Sequence, residues 1–129
     1  MSKAREICDI LSEQNEDDKD YIAVDFDGTL AMYDGYKGPE HVGEPVPKML
    51  DLVKGWLTSG KTVKIMTARV NPKDKDAGLA RKAIERWCEK YLGMVLPITH
   101  EKDRWMTVLY DDRARQVEKN TGRIVGYND

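Results

Sequence analysis

Tyr21-Ile22-Ala23-Val24-Asp25-Phe26-Asp27-Gly28-Thr29-Leu30 is the stretch whose reading decides the fold. Its first four residues form a short apolar run rich in β-formers, and Gly28 closes it, which predicts a buried strand over 21–24. The strand ends in two carboxylates one residue apart, where the backbone must turn. In open α/β sheets, sites form outside the carboxyl ends of strands. Two acids there are costly unless something positive meets them.

The flanking sequence repeats the pattern of strand and helix. On the N-terminal side, Ala4, Ile7, Cys8 and Leu11 form an apolar stripe at helical spacing. Residues 13–20 then set Glu13, Glu16, Asp17, Asp18 and Asp20 against Lys19, a balance of −4 that reads as a solvated acidic connector. On the C-terminal side, residues 33–39 are dense in turn formers and predict a loop or small hairpin. Pro45 and Pro47 introduce a helix with Met49, Leu50, Val53, Trp56 and Leu57 on its buried face, closed by Gly60. Residues 62–67 form a second strand, and 68–76 a loop. Leu79, Ala83, Ile84, Trp87 and Tyr91 recur at helical spacing until Gly93. Met94–Ile98 is a third strand, expected at the sheet edge because Pro97 cannot donate to a ladder. Thr107–Tyr110 is a fourth, ending in Asp111-Asp112. A helix over 113–120 and a last strand over 123–127 complete the reading.

Alternating strands and helices imply α/β: a mostly parallel sheet of about five strands, covered on both faces in three Rossmann-like layers. With 129 residues, one domain is expected, comprising an N-terminal helix and connector (1–20) and a core (21–127). No apolar run approaches the ~18 residues that span a bilayer, and no apolar signal region follows the N-terminus, so a cytoplasmic protein without membrane association is expected. Cys8 and Cys88 are too few and too far apart for a disulfide framework or zinc site, and are read as reduced thiols. With His41 and His100 the only histidines, a bound metal must be oxygen-loving. The net charge is −2; residues 21–129 carry +2, well short of a dedicated nucleic-acid binder.

In a parallel sheet the strand ends share one edge. Asp25, Asp27, Thr67, Lys102, Asp111 and Asp112 would converge there. Aspartates are ionised at neutral pH, and two unit charges ~4 Å apart repel by roughly 4 kcal/mol at an effective dielectric of 20. Three or four carboxylates together therefore call for a divalent cation, and a set without His or thiolate suits Mg²⁺ with substrate phosphate. Thr67 and Lys102 are suited to phosphoryl oxygens. An aspartate can attack phosphorus, and a second acid can move the proton.

These motifs, in this order, resemble the haloacid dehalogenase superfamily of phosphohydrolases. The first motif stands as Asp25-Phe26-Asp27-Gly28-Thr29-Leu30, the second as Val63-Lys64-Ile65-Met66-Thr67, the third as Lys102, and the fourth as Val108-Leu109-Tyr110-Asp111-Asp112. The resemblance implies Asp25 as nucleophile and metal ligand, and Asp27 as general acid/base that also gives its carbonyl to Mg²⁺. It implies Thr67 and Lys102 on the transferring phosphoryl group, Asp111 as a direct metal ligand, and Asp112 as a ligand through water or an orienter of Lys102. Gly28 and Thr29 would shape the turn behind the nucleophile, and Ala68 and Arg69 would lie beside the substrate phosphate.

It further implies a capless member, with a short flap between Leu30 and Pro45 in place of a cap domain. An open site suits a phosphorylated small molecule or a macromolecular end. A polynucleotide 3′-phosphatase or a nucleotidase is the runner-up, and a non-catalytic scaffold of the same fold the alternative. A receiver domain also combines acids, Thr and Lys, but there the acid pair follows the first strand; here it comes last. Taken singly, each piece has a plain structural role: Asp27-Gly28 a turn, Lys102 a surface lysine, Asp111-Asp112 a helix cap.

Overall fold

In a computed structural model of the chain, residues 19–126 are described. The central strand β1 (Tyr21–Asp25) pairs in parallel with β2 (Val63–Met66) on one side and β4 (Met106–Tyr110) on the other. The edge strand β3 (Ile98–Thr99) pairs in parallel with β2. The order is β3-β2-β1-β4. The chain is thus α/β, consistent with the three-layer Rossmann-like class expected, with four strands among the described residues instead of about five.

The first two crossovers are helical, and the third, from β3 to β4, is the loop 100–105. Helix α1 (Pro47–Thr58) starts with proline in its first turn, where no amide donor is needed, and joins β1 to β2. Helix α2 (Ala77–Leu92) joins β2 to β3 and stops at Gly93, whose left-handed backbone ends the helix. Side chains alternate across a strand, and one face of the sheet presents Val24, Val63, Ile65 and Ile98. These share a single buried cluster with Val53 of α1 and with Ile84, Trp87 and Cys88 of α2. Trp56 of α1 reaches the edge strand, its ring 4.9 Å from that of Tyr110. Phe26, just past β1, is fully buried edge-on against Trp87 at 5.1 Å, so the turn carrying the acids is anchored in the core. On the opposite face Tyr21 is buried, with Lys64 4.2 Å over its ring and Asp103 accepting its hydroxyl at 3.0 Å. Lys64 therefore lies across a sheet face of an interior strand.

The flap is a short excursion closed at its base. Ala31 and Pro45 form an antiparallel bridge, Met32 N–H donates to Glu44 O at 2.7 Å, and Trp87 Nε1–H donates to Gly43 O at 2.9 Å. Gly43 is required by this closeness: a Cβ there would lie 2.0 Å from Met32 O.

Three sequence expectations need correction. The third strand begins only at Ile98, because Pro97 brings no donor and contributes only its carbonyl, to Ile65 N–H at 2.9 Å. Residues 113–120 are not helical, and 123–126 make no strand beyond one bridge. Instead Val117 and Ile124 bridge antiparallel, with Glu118 N–H donating to Arg123 O and Val125 N–H to Gln116 O. The turn between them uses Asn120 at φ 67° and Gly122 at φ 81°, and Arg123 pairs with Glu118 at 2.8 Å. Turn chemistry outcompeted helix there because only Val117 could have anchored an apolar face, and it is exposed. The stretches expected as an N-terminal helix and, nearly all of it, as an acidic connector lie outside the described residues, as does Tyr127. Among the described residues no helix is long and apolar enough to cross a membrane. Cys88 is buried and free, and burial pushes its thiol above the ordinary range.

Candidate functional site

The sheet register brings the acids together. Val24 pairs with Tyr110, so Asp25 and Asp111 leave adjacent parallel strands at the same level. Asp25, Asp111 and Asp112 each offer a carboxylate oxygen within 4.8 Å of the others. The turn after β1 is built to hold them. Thr29 Oγ1 accepts from Asp112 N–H at 2.9 Å, donates to Asp112 Oδ1 at 2.9 Å, and has Asp25 Oδ2 at 3.3 Å. Gly28, at φ +87°, leaves room that a Cβ would fill 2.7 Å from Asp112 Oδ2. Glycine serves this turn twice, through its backbone and through its missing side chain.

The electrostatics follow from that crowding. The Asp25 carboxyl is raised to about 7, first by burial, then by a hydrogen bond with Asp112 and by the charges of Asp111 and Asp112, against a lowering hydrogen bond from Thr29. Asp112 is held below its ordinary value: burial acts upward and is outweighed by hydrogen bonds from Thr29, Asp25 and its backbone and by the Arg113 charge. Burial and the neighbouring carboxylates thus push Asp25 toward its protonated form. A divalent cation reverses that preference, since it is the largest local charge at such a site.

The other predicted residues divide. Thr67 follows β2, one position past the residue paired with Asp25, and its N–H extends the ladder to Thr99 O at 2.9 Å. Its hydroxyl accepts from Arg69 N–H at 3.2 Å. Among the described residues no acceptor takes the hydroxyl proton, so this buried group has a donor to offer. Ala68 opens the single 3-10 turn Ala68–Val70 and is exposed. Lys102 stands exposed in the loop before β4; among the described residues it has no hydrogen-bond or ion-pair partner, and it does not reach Asp112. Arg69 is committed to a carboxylate: Nε donates to Asp27 Oδ2 at 2.7 Å and Nη2 to Asp27 Oδ1 at 3.0 Å. The sequence does not single out Thr29 as the link between Asp25 and Asp112, although a hydroxyl four residues after an acid, across a glycine turn, is its signal.

Hard oxygen donors in this number fit Mg²⁺, with Asp25, Asp111 and Asp112 as the carboxylates that could hold it. Chemically, the edge offers clustered carboxylates and a hydroxyl donor just past the ends of strands β1, β2 and β4.

The fold and site define an α/β, Rossmann-like domain with an acidic edge. No protein-family model matches the chain, and no curated protein matches it. Among solved structures it is similar to a conserved protein from Bacteroides thetaiotaomicron, at 22% identity and a TM-score of 0.51, over 73% of this chain and 76% of that one. At that identity the likeness supports the fold alone.

Proposed function

We propose that the protein is a Mg²⁺-dependent phosphomonoester hydrolase acting through an aspartyl-phosphate. The observation that carries this reading is the junction of Asp25, Asp111 and Asp112 at the carboxyl ends of adjacent parallel strands. Asp27 and Thr67 follow the strand ends of the same edge. The motif order of the haloacid dehalogenase superfamily points the same way.

Asp25, Asp111 and Asp112 would hold the ion, with the Asp27 carbonyl. Bound there, it would neutralise phosphoryl charge and keep Asp25 ionised. An Asp25 oxygen attacks phosphorus, the bond from phosphorus to the ester oxygen breaks, and Asp27 gives that oxygen its proton. Water then attacks phosphorus, Asp27 takes the water's proton, and inorganic phosphate leaves with the Asp25 carboxylate restored. The Thr67 hydroxyl donates to a phosphoryl oxygen throughout. Lys102 would join it after a movement of its loop. That requirement, with Arg69 seated on Asp27, is what favours the second reading, a non-catalytic scaffold.

The test is phosphate release from nucleotides, sugar phosphates and 3′-phosphorylated oligonucleotides, with Mg²⁺ and again with EDTA. Mg²⁺-dependent release from any of them supports the hydrolase and identifies its substrate class, including the 3′-phosphatase and nucleotidase variants. No release together with no Mg²⁺ binding leaves the scaffold.

A further inference from the structure

We propose that Arg69 is a positioning residue that couples the flap to Asp27, so that the flap tip and this carboxylate move as one body. The inference rests on the hydrolase reading only for what Asp27 does; the coupling follows from geometry.

Arg69 leaves the strand edge on a fixed stem, because the Thr67 hydroxyl accepts its backbone N–H. Its side chain is only 8% exposed. Nε and Nη2 span both oxygens of Asp27, the planar fork matching the planar carboxylate. Nη1 faces the other way and donates to Gly38 O at 3.3 Å and Pro39 O at 3.4 Å. The Tyr36 ring stands 5.4 Å from the guanidinium carbon, close enough for a cation–π contact.

Residues 33–41 have little else to hold them. The Lys37–Asp34 ion pair and the hydrogen bond from His41 N–H to Gly38 O stay inside the flap. Among the described residues, every hydrogen bond or ion pair from 33–41 to the rest of the domain goes to Arg69. The bridge at Ala31 and Pro45 pins the flap's base; Arg69 pins its tip. One side chain therefore carries the positional coupling, and coupling is reciprocal: what frees the flap frees Asp27, and what removes the Asp27 charge frees the flap. Lysine cannot substitute, since an ammonium has no rigid fork to reach two oxygens on one side and two carbonyls on the other.

Backbone ¹⁵N NMR order parameters on the whole chain test this, with Asp27→Asn, Arg69→Met and Arg69→Lys. Both Asp27→Asn and Arg69→Met should lower the order parameters of 33–41 from a rigid value of about 0.85 to below about 0.6, with Arg69→Lys between them and wild type, while those of α2 stay unchanged as the check on folding. Kinetics supply the readout that a merely structural role would not move. In Arg69→Met, kcat for an alkyl phosphate should fall about tenfold more than for an aryl phosphate, with KM nearly constant, because a poor leaving group depends more on a well-placed acid. Wild-type order parameters across the flap in either Asp27→Asn or Arg69→Met overturn the coupling, and equal losses on the two substrates overturn its link to proton transfer. If wild type hydrolyses neither substrate with Mg²⁺, the hydrolase reading fails, and the order parameters alone decide whether Arg69 couples flap and carboxylate.

Discussion

Thr29 Oγ1 sits 2.9 Å from two atoms of Asp112, accepting from its N–H and donating to its Oδ1. One hydroxyl thus joins the turn after the central strand to the acid pair after the edge strand, across 83 positions of sequence. Replacing Thr29 with Val keeps the shape and removes both bonds. The Asp112 amide then loses its acceptor in a partly buried setting, so unfolding free energy should fall by about 1–3 kcal/mol. Mg²⁺ affinity should drop by about tenfold or more, because outer groups orient the ligands. Urea titration and calorimetry measure the two effects separately.

Gly28→Ala tests the crowding directly. The new methyl would meet Asp112 Oδ2 at 2.7 Å on a backbone at φ +87°. Gly35, at φ +125°, has nothing within 4 Å of the corresponding position. Both alanines suffer from positive φ, at about 1–2 kcal/mol. Only Gly28→Ala should also weaken Mg²⁺ binding, and calorimetry on the two variants reads the difference.

The raised Asp25 carboxyl sets a pH dependence with a definite sign. Its folded value of about 7 lies above its ordinary 3.8, so the native state binds the proton more tightly than the unfolded chain. Without divalent cation, stability from this group is present at low pH and lost as pH rises from about 4 to about 7. Asp112, held below its ordinary 3.8, contributes oppositely, and only as pH falls below that range. Mg²⁺ competes with the Asp25 proton, so its affinity should rise by up to about tenfold per pH unit until about pH 7 and then level off. Thermal melts and Mg²⁺ titrations across this window check both trends.

Trp87 joins the site's turn to the flap's base, edge-on to Phe26 at 5.1 Å and donating to Gly43 O at 2.9 Å. Trp87→Ala should lower stability by about 3–5 kcal/mol through the cavity it leaves. Trp87→Phe retains a ring and should lose about 1 kcal/mol, for the hydrogen bond. Denaturant midpoints at unchanged slope measure this.

The parts legible in the sequence are those fixed by periodicity. The 3.6-residue spacing of Ala83, Ile84, Trp87 and Tyr91 reports α2, and the short apolar runs before Asp25 and Asp111 report the two strands whose ends carry the acids. Once the sheet is parallel, the convergence of those acids follows. In sequence, 113–120 reads as a helix and 123–127 as a strand, whereas Asn120 and Gly122 at positive φ make a turn that bridges Val117 to Ile124. The Asp27–Arg69 pair joins positions 42 apart, and sequence offers no pattern for a contact set by tertiary packing. Lys102 matches a motif position, yet its loop leaves the ammonium exposed, since neither the loop's length nor its composition fixes where it points.

The most direct measurement is steady-state hydrolysis of an aryl phosphate in saturating Mg²⁺ by wild type and by Asp25→Asn, with the fold of both verified by circular dichroism. The amide keeps the size of Asp25 and removes the carboxylate proposed as the nucleophile. The expected result is Mg²⁺-dependent turnover by wild type, abolished by EDTA, and a fall of at least about 10³-fold in kcat for Asp25→Asn. Wild-type turnover by Asp25→Asn would contradict the assignment of Asp25 as the nucleophile at the centre of this site.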